Sequence, residues 1–147
     1  MRVSVIGGSA VDNQTYETAR RLGALLAERD HTVVCGGLTG VMEAVCRGAR
    51  EADGETIGIL PGERRSTANE YVTTPIATGL GNARNALVAL NGDAAIAVDG
   101  NMGTLSEIAL ALDAGLPVAG LDTHDIEGVE MVDSPEAAVE YVESTRR

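Results

Sequence analysis

AAIAVDGNMGTLSEIALALD, residues 94–113, changes its periodicity halfway along. Ala94–Val98 are all small and apolar, the pattern of a strand covered on both faces. Over residues 104–113 the apolar side chains recur at helical spacing instead. Gly100 and Gly103 stand between the two patterns. A strand running through a glycine turn directly into a helix is half of a βαβ unit.

The same alternation extends in both directions from this stretch. Residues 2–6 read as a buried strand ending at Gly7-Gly8-Ser9. Residues 15–29 read as a helix, with Ala19, Leu22, Leu25 and Leu26 on one face. A second strand over 31–35 closes at Gly36-Gly37, and a helix over 40–52 follows. A third strand, Thr56–Leu60, stops at Pro61-Gly62, and the polar segment 63–69 reads as a loop. Residues 71–77 read as a strand at an irregular position, because Pro75 removes a backbone donor. A helix over 82–90 precedes the opening stretch, and a short strand over 116–120 follows it. Ser134 and Pro135 have the chemistry of the N-cap and first turn of a terminal helix. Strands separated by helices imply right-handed crossovers. The expected fold is one α/β domain over residues 1–147, Rossmann-like and doubly wound, its mainly parallel sheet flanked by helices.

Composition narrows the function. The 147 residues are 44% apolar, with no Phe, no Trp and three Tyr. The length suits one domain with one core. The formal net charge is -11, and with no Lys in the chain every basic side chain is Arg. This argues against nucleic acid as a partner, since binding it needs a basic face to displace counterions. An acidic, Lys-free chain also reads as halophilic, because salt screens the repulsion among its carboxylates. Cys35 and Cys46 have no further Cys or His at ligand spacing, so buried free thiols and no metal site are expected. No basic leader or apolar run of membrane length is present, so a cytoplasmic protein without membrane association is expected.

In open α/β sheets ligands bind beyond the carboxyl ends of the strands. Three turns fall there: Gly7-Gly8-Ser9, Gly36-Gly37-Leu38-Thr39-Gly40 and Gly100-Asn101-Met102-Gly103-Thr104. Glycine lets an anion approach the backbone amides, and the following helix dipole favours phosphate. One such turn can serve chain reversal alone; three in a short chain point to a small phosphorylated ligand. None is G-x-G-x-x-G, and G-K-[ST] cannot occur without Lys, which argues against hydride transfer and P-loop chemistry. Thr104 and Glu107 have capping-box spacing, which predicts that the Glu107 carboxylate reaches back to the turn. A carboxylate there also lies where a ribose would sit. Arg84, at the start of the preceding helix, could neutralise an anion through its guanidinium. Arg64 and Arg65 read as a lid or as a solvated loop, and the isolated His31 and His124 as structural or exposed.

GLGNARN (79–85), AAIAV (94–98) and GNMGTLSEIALAL (100–112) resemble one superfamily. It unites the Lonely Guy (LOG) proteins, once labelled lysine decarboxylases, with the molybdenum-cofactor carrier proteins. Counterparts follow in order along nearly the whole chain, including GGLTGVM at 36–42. The carrier-like branch is the more similar, since it pairs Arg with Asn as Arg84-Asn85 does. In LOG phosphoribohydrolases an Arg-Lys pair precedes Pro-Gly-Gly-x-Gly-Thr-x-x-Glu. By resemblance their catalytic Arg and Glu fall on Arg84 and Glu107, and their glycines and Thr on Gly100, Gly103 and Thr104. Three positions depart: Asn85 replaces Lys, Asp99 replaces Pro, and Asn101 replaces the middle Gly. Asn101 is expected to keep the turn at positive φ with some strain. Asp99 is expected to weaken anion binding unless it faces away or binds a cation. The decarboxylase label finds no support, there being no Lys to form a Schiff base.

The resemblance implies a binding or carrier protein for a phosphorylated nucleotide or a pterin-type (molybdenum) cofactor, working as a homodimer or higher homo-oligomer. No cofactor is required for this, although a nucleoside monophosphate or the molybdenum cofactor is the implied bound ligand. The alternative is a LOG-type hydrolase that cleaves the N-glycosidic bond of nucleoside 5′-monophosphates, with Arg84 and Glu107 catalytic. An effector-sensing module is a third class.

Overall fold

The alternation of side chains along β1 (Arg2–Gly7) sets the layers of the molecule. Val3 and Val5 point into a core closed by α1 (Asn13–Glu28), α2 (Val41–Glu51) and α5 (Pro135–Ser144). Ile6 points the other way, into a core closed by α3 (Asn85–Leu90) and α4 (Met102–Asp113). Ser4 lies on that second side and satisfies its buried hydroxyl on the Val88 carbonyl, at 2.6 Å. The computed structural model describes residues 1–145.

The remaining strands are β2 (Thr32–Cys35), β3 (Thr56–Leu60), β4 (Thr74–Ala77), β5 (Ala94–Val98), β6 (Val118–Leu121) and β7 (Val129–Val132). They form one sheet in the order β4-β3-β2-β1-β5-β6-β7, with every neighbouring pair parallel. The chain builds outward from β1 to β4, then returns to place β5 on the other side of β1. That reversal opens a crevice between the carboxyl ends of β1 and β5, the position at which such sheets bind ligands.

Two glycines let α1 and α2 pack backbone to backbone. A Cβ on Gly23 would come within 2.8 Å of the Val45 carbonyl carbon, and one on Gly48 within 2.7 Å of that of Arg20. Neither helix could approach so closely with a side chain in the contact.

The doubly wound architecture is as expected, but several element bounds differ. The strand expected over 71–77 contracts to Thr74–Ala77, because Thr73 and Thr56 spend their hydroxyls on each other's backbone. Pro75 is tolerated there because β4 is an edge strand. The helix expected over 82–90 begins as a 3-10 turn, Gly81–Arg84, so Arg84 ends that turn and does not open the helix. The segment 63–69 contains a short 3-10 turn, Arg65–Thr67. β7 was not expected: it is four residues long, at the sheet edge, with Glu130 and Met131 exposed.

Cys35 and Cys46 are buried free thiols, with their sulfurs 3.4 Å apart. His31 is structural, held between the Met1 ammonium at 3.2 Å and Glu143 at 2.7 Å. His124 is half-buried and its Nε2 lies 3.0 Å from the Asn101 carbonyl. Among the described residues no helix is long and apolar enough to cross a membrane.

Candidate functional site

The turns after β1, β2 and β5 converge on a cavity of about 200 Å³ at the crevice. Thr39 ties the first two together by donating its hydroxyl to the Ser9 carbonyl at 2.9 Å. Gly40 caps α2 with a φ of 66°, and the Val41 amide donates to the Gly8 carbonyl at 3.0 Å. Of the residues singled out in the sequence, Gly7, Ser9, Gly36, Arg84, Asn101, Gly103, Thr104 and Glu107 line this cavity. Gly8, Gly37, Thr39, Gly40 and Gly100 lie behind that lining, where they shape the turns. Met102 is 75% exposed and faces a neighbouring open groove. Arg64 and Arg65 are exposed and lie outside the cavity lining.

Arg84 is buried against Gly36. A Cβ at position 36 would sit 2.7 Å from one guanidinium nitrogen and 3.1 Å from its carbon, so glycine is what leaves room for the cation. One guanidinium nitrogen donates to the Asn85 side-chain oxygen, and Asn85 in turn donates to Ser106 at 3.3 Å. The Nε of Arg84 is buried with no hydrogen-bond partner among the described residues. A buried donor left in this way is costly.

Glu107 lies across the same cavity. Burial pushes its carboxyl up to about 7, and the Arg84 guanidinium draws it partly back. A strongly perturbed acid beside a specific charge in a cleft is characteristic of functional sites.

Three expectations about the third turn are corrected. The capping box is formed by Asn101 and Thr104, not by Thr104 and Glu107: the Asn101 side chain accepts from the Gly103 and Thr104 amides at 3.0 and 3.3 Å. The helix starts two residues earlier than expected, and Glu107 is buried within it. Asn101 has a φ of -121°, so it is not strained; Asp99 at 55° and Gly100 at 141° take the positive φ. Asp99 is absent from the cavity lining and lines a separate opening with Asp12, Asp122 and Asp133, its carboxylate lying beside Gly8.

Sequence reasoning missed Val5, Ile6, Leu38, Met42, Asn82 and Asn85 as lining residues. Leu38, Met42, Asn82 and Asn85 sit inside quoted motifs, whereas Val5 and Ile6 read as ordinary strand core. A larger opening, about 770 Å³, lies at the opposite edge of the sheet between Met1, Asp93, Pro117 and Tyr141. Those residues precede or flank the amino ends of the strands, away from the glycine turns.

The model of one family matches residues 1–147, the SLOG cluster4 family. The chain belongs to the SLOG cluster4 family. An uncharacterised protein of Archaeoglobus fulgidus is 43% identical over 142 residues, covering 96% of this chain and 93% of that one. The molybdenum cofactor binding protein of Rippkaea orientalis superposes with a TM-score of 0.92 at 36% identity, over 97% of this chain and 95% of that one. The molybdenum cofactor carrier protein of Chlamydomonas reinhardtii gives 0.90 at 33% identity, over 97% and 96%. Membership in the SLOG cluster4 family agrees with the resemblance drawn from GLGNARN and GNMGTLSE.

Proposed function

We propose that the chain is a carrier or binding protein for a phosphorylated ligand of nucleotide or pterin type, with the molybdenum cofactor as the leading candidate. The observation that carries this reading is the buried Arg84 on the lining of a cavity rimmed by glycine turns. A phosphate complements this positive charge, and a planar guanidinium suits it. The structural similarity to molybdenum cofactor carrier proteins supports the same ligand class.

The donor set fits one end of such a molecule. At about 200 Å³ the cavity is smaller than the roughly 300–1,000 Å³ of typical small-molecule sites. It accommodates the phosphate end, while the wider groove that shares Asn82, Asn85, Asn101 and Gly103 receives the rest. Arg84 would hold the charge, and Glu107 would meet a polar group of the ligand.

The hydrolase alternative draws support from Arg84 and Glu107 sharing a cavity. Against it, Asn85, Asp99 and Asn101 stand where the LOG pattern has Lys, Pro and the middle Gly. Equilibrium dialysis against AMP, GMP and molybdenum cofactor, with assay for free base, tests both readings. Binding without turnover, weakened at least tenfold by Arg84→Met, is the expected result. Base release abolished by Glu107→Ala would replace the carrier reading with the enzyme.

A homo-oligomeric state belongs to the same proposal. Leu80, Leu90, Met102 and Leu110 are exposed around α3 and α4, and an exposed apolar set of this kind favours a protein partner.

A further inference from the structure

Glu107 and Arg84 face one cavity but are built into it differently. Arg84 is braced by Asn85 and Gly36. Glu107 is 8% exposed, and no hydrogen bond to it forms among the described residues; burial and the Arg84 charge alone set its acidity. An ionised carboxylate here is poorly solvated and cancels the positive charge that an anion needs. A protonated one leaves that charge uncompensated and adds a donor to the cavity.

We propose that the cavity takes up its anion together with a proton on Glu107, holding the ligand at and below neutral pH and loosening it as the pH rises. This rests on the anion-site reading above. Burial already raises the Glu107 carboxyl to about 7, within reach of cellular pH. A bound anion then repels the carboxylate and raises it further, which is the linkage that couples the two events.

The surrounding elements offer little competition. Among the described residues, Arg84, from the 3-10 turn before α3, is the one cation on the cavity lining. Cys35, behind Gly36 at the end of β2, feels the Glu107 charge and is tied to Cys46 and the Gly37 amide. α3, β5 and β6 carry no ionisable side chain, and the only one on β1 is Arg2 at its far end. On α2, Glu43 is turned to the Tyr16 hydroxyl. Asp99 lines a separate opening, its carboxylate beside Gly8, and His124 lies at the Asn101 carbonyl.

Inorganic sulfate is the suitable probe, because it carries no proton of its own near neutrality. Its affinity for the full chain is to be measured across the neutral range, for wild type and Glu107→Gln. Carbon-13 NMR of the glutamate carboxyls follows Glu107 directly, with and without sulfate. The expected result is a wild-type dissociation constant that rises about tenfold per pH unit above the Glu107 midpoint. Glu107→Gln loses that slope, and the wild-type Glu107 midpoint moves up when sulfate binds. A flat wild-type affinity overturns the inference, as does a Glu107 that titrates in the ordinary carboxylate range or moves down on binding. In those cases the anion site itself stands. If sulfate binds neither protein at any pH, the anion-site reading fails and takes this inference with it. Should Glu107→Gln fold poorly, the wild-type NMR titration still decides.

Discussion

Two side chains at the cavity carry opposing demands of stability and function. Folding raises the Glu107 carboxyl from 4.5 to about 7. The folded chain therefore holds this proton more tightly than the unfolded one, and the group's contribution falls as pH rises. It is fully present below about 4.5 and lost above about 7, a change on the order of 3 kcal/mol. Glu107→Gln keeps a neutral side chain at every pH. Urea unfolding should show the variant equal to wild type in acid and more stable by about 1–3 kcal/mol at about pH 8. Glu143 runs the other way. Its hydrogen bond with His31 lowers its carboxyl, so its stabilisation is present above the ordinary carboxylate range and lost as acid is added. Asn101 is the second case, since its side chain occupies the Gly103 and Thr104 amides that a phosphate would otherwise use. Asn101→Gly should lower stability by a few tenths of a kcal/mol to about 1 kcal/mol, and should tighten sulfate binding in calorimetry. Unchanged or weaker sulfate binding would mean that these amides are not part of the anion site.

At the scale of elements, the α1–α2 contact is the tightest test of packing. A methyl group at Gly48 meets the Arg20 carbonyl and cannot be relieved by rotating a side chain. Gly48→Ala should therefore cost more than the favourable helix propensity of Ala returns, with a net loss of about 1–3 kcal/mol. A chemical denaturation midpoint at or above wild type would contradict this packing. The same layer shows why element bounds were only partly legible. The helix face of Ala19, Leu22, Leu25 and Leu26 was readable from period alone, and all four are buried in α1. The start of α4 was not. Thr104-x-x-Glu107 matches a capping box as well as Asn101-x-x-Thr104 does, and local sequence cannot choose between them. In the folded chain the earlier start prevails, with the Asn101 side chain accepting from the Gly103 and Thr104 amides.

For the molecule as a whole, charge sets the conditions under which the fold holds. With 22 acidic and 11 basic side chains, the compact chain repels itself at low ionic strength. The ion pairs that offset this are mainly at the surface, such as Arg29–Glu143 and Arg21–Glu136, and are individually weak. Raising potassium chloride from about 0.1 M to about 2 M should therefore raise the melting temperature, since screening of net repulsion outweighs screening of these pairs. A melting temperature that falls with salt would place the balance with the ion pairs and remove the halophilic reading. Salt also screens the attraction of Arg84 for an anion, so the sulfate titrations belong at one fixed ionic strength.

The sequence by itself determined the layered α/β architecture, the family and the three turns, because periodicity and glycine placement are local properties of the chain. Strand β7 escaped it, since four half-exposed residues at a sheet edge carry no periodic signal above that of a loop. Only the tertiary structure decided which side chains meet. It kept Asp99 off the cavity lining, gave Asn101 the cap, and buried Glu107 opposite an Arg84 that leans on Gly36. Those outcomes depend on desolvation and on the space left between distant segments, and neither quantity exists until the chain has folded.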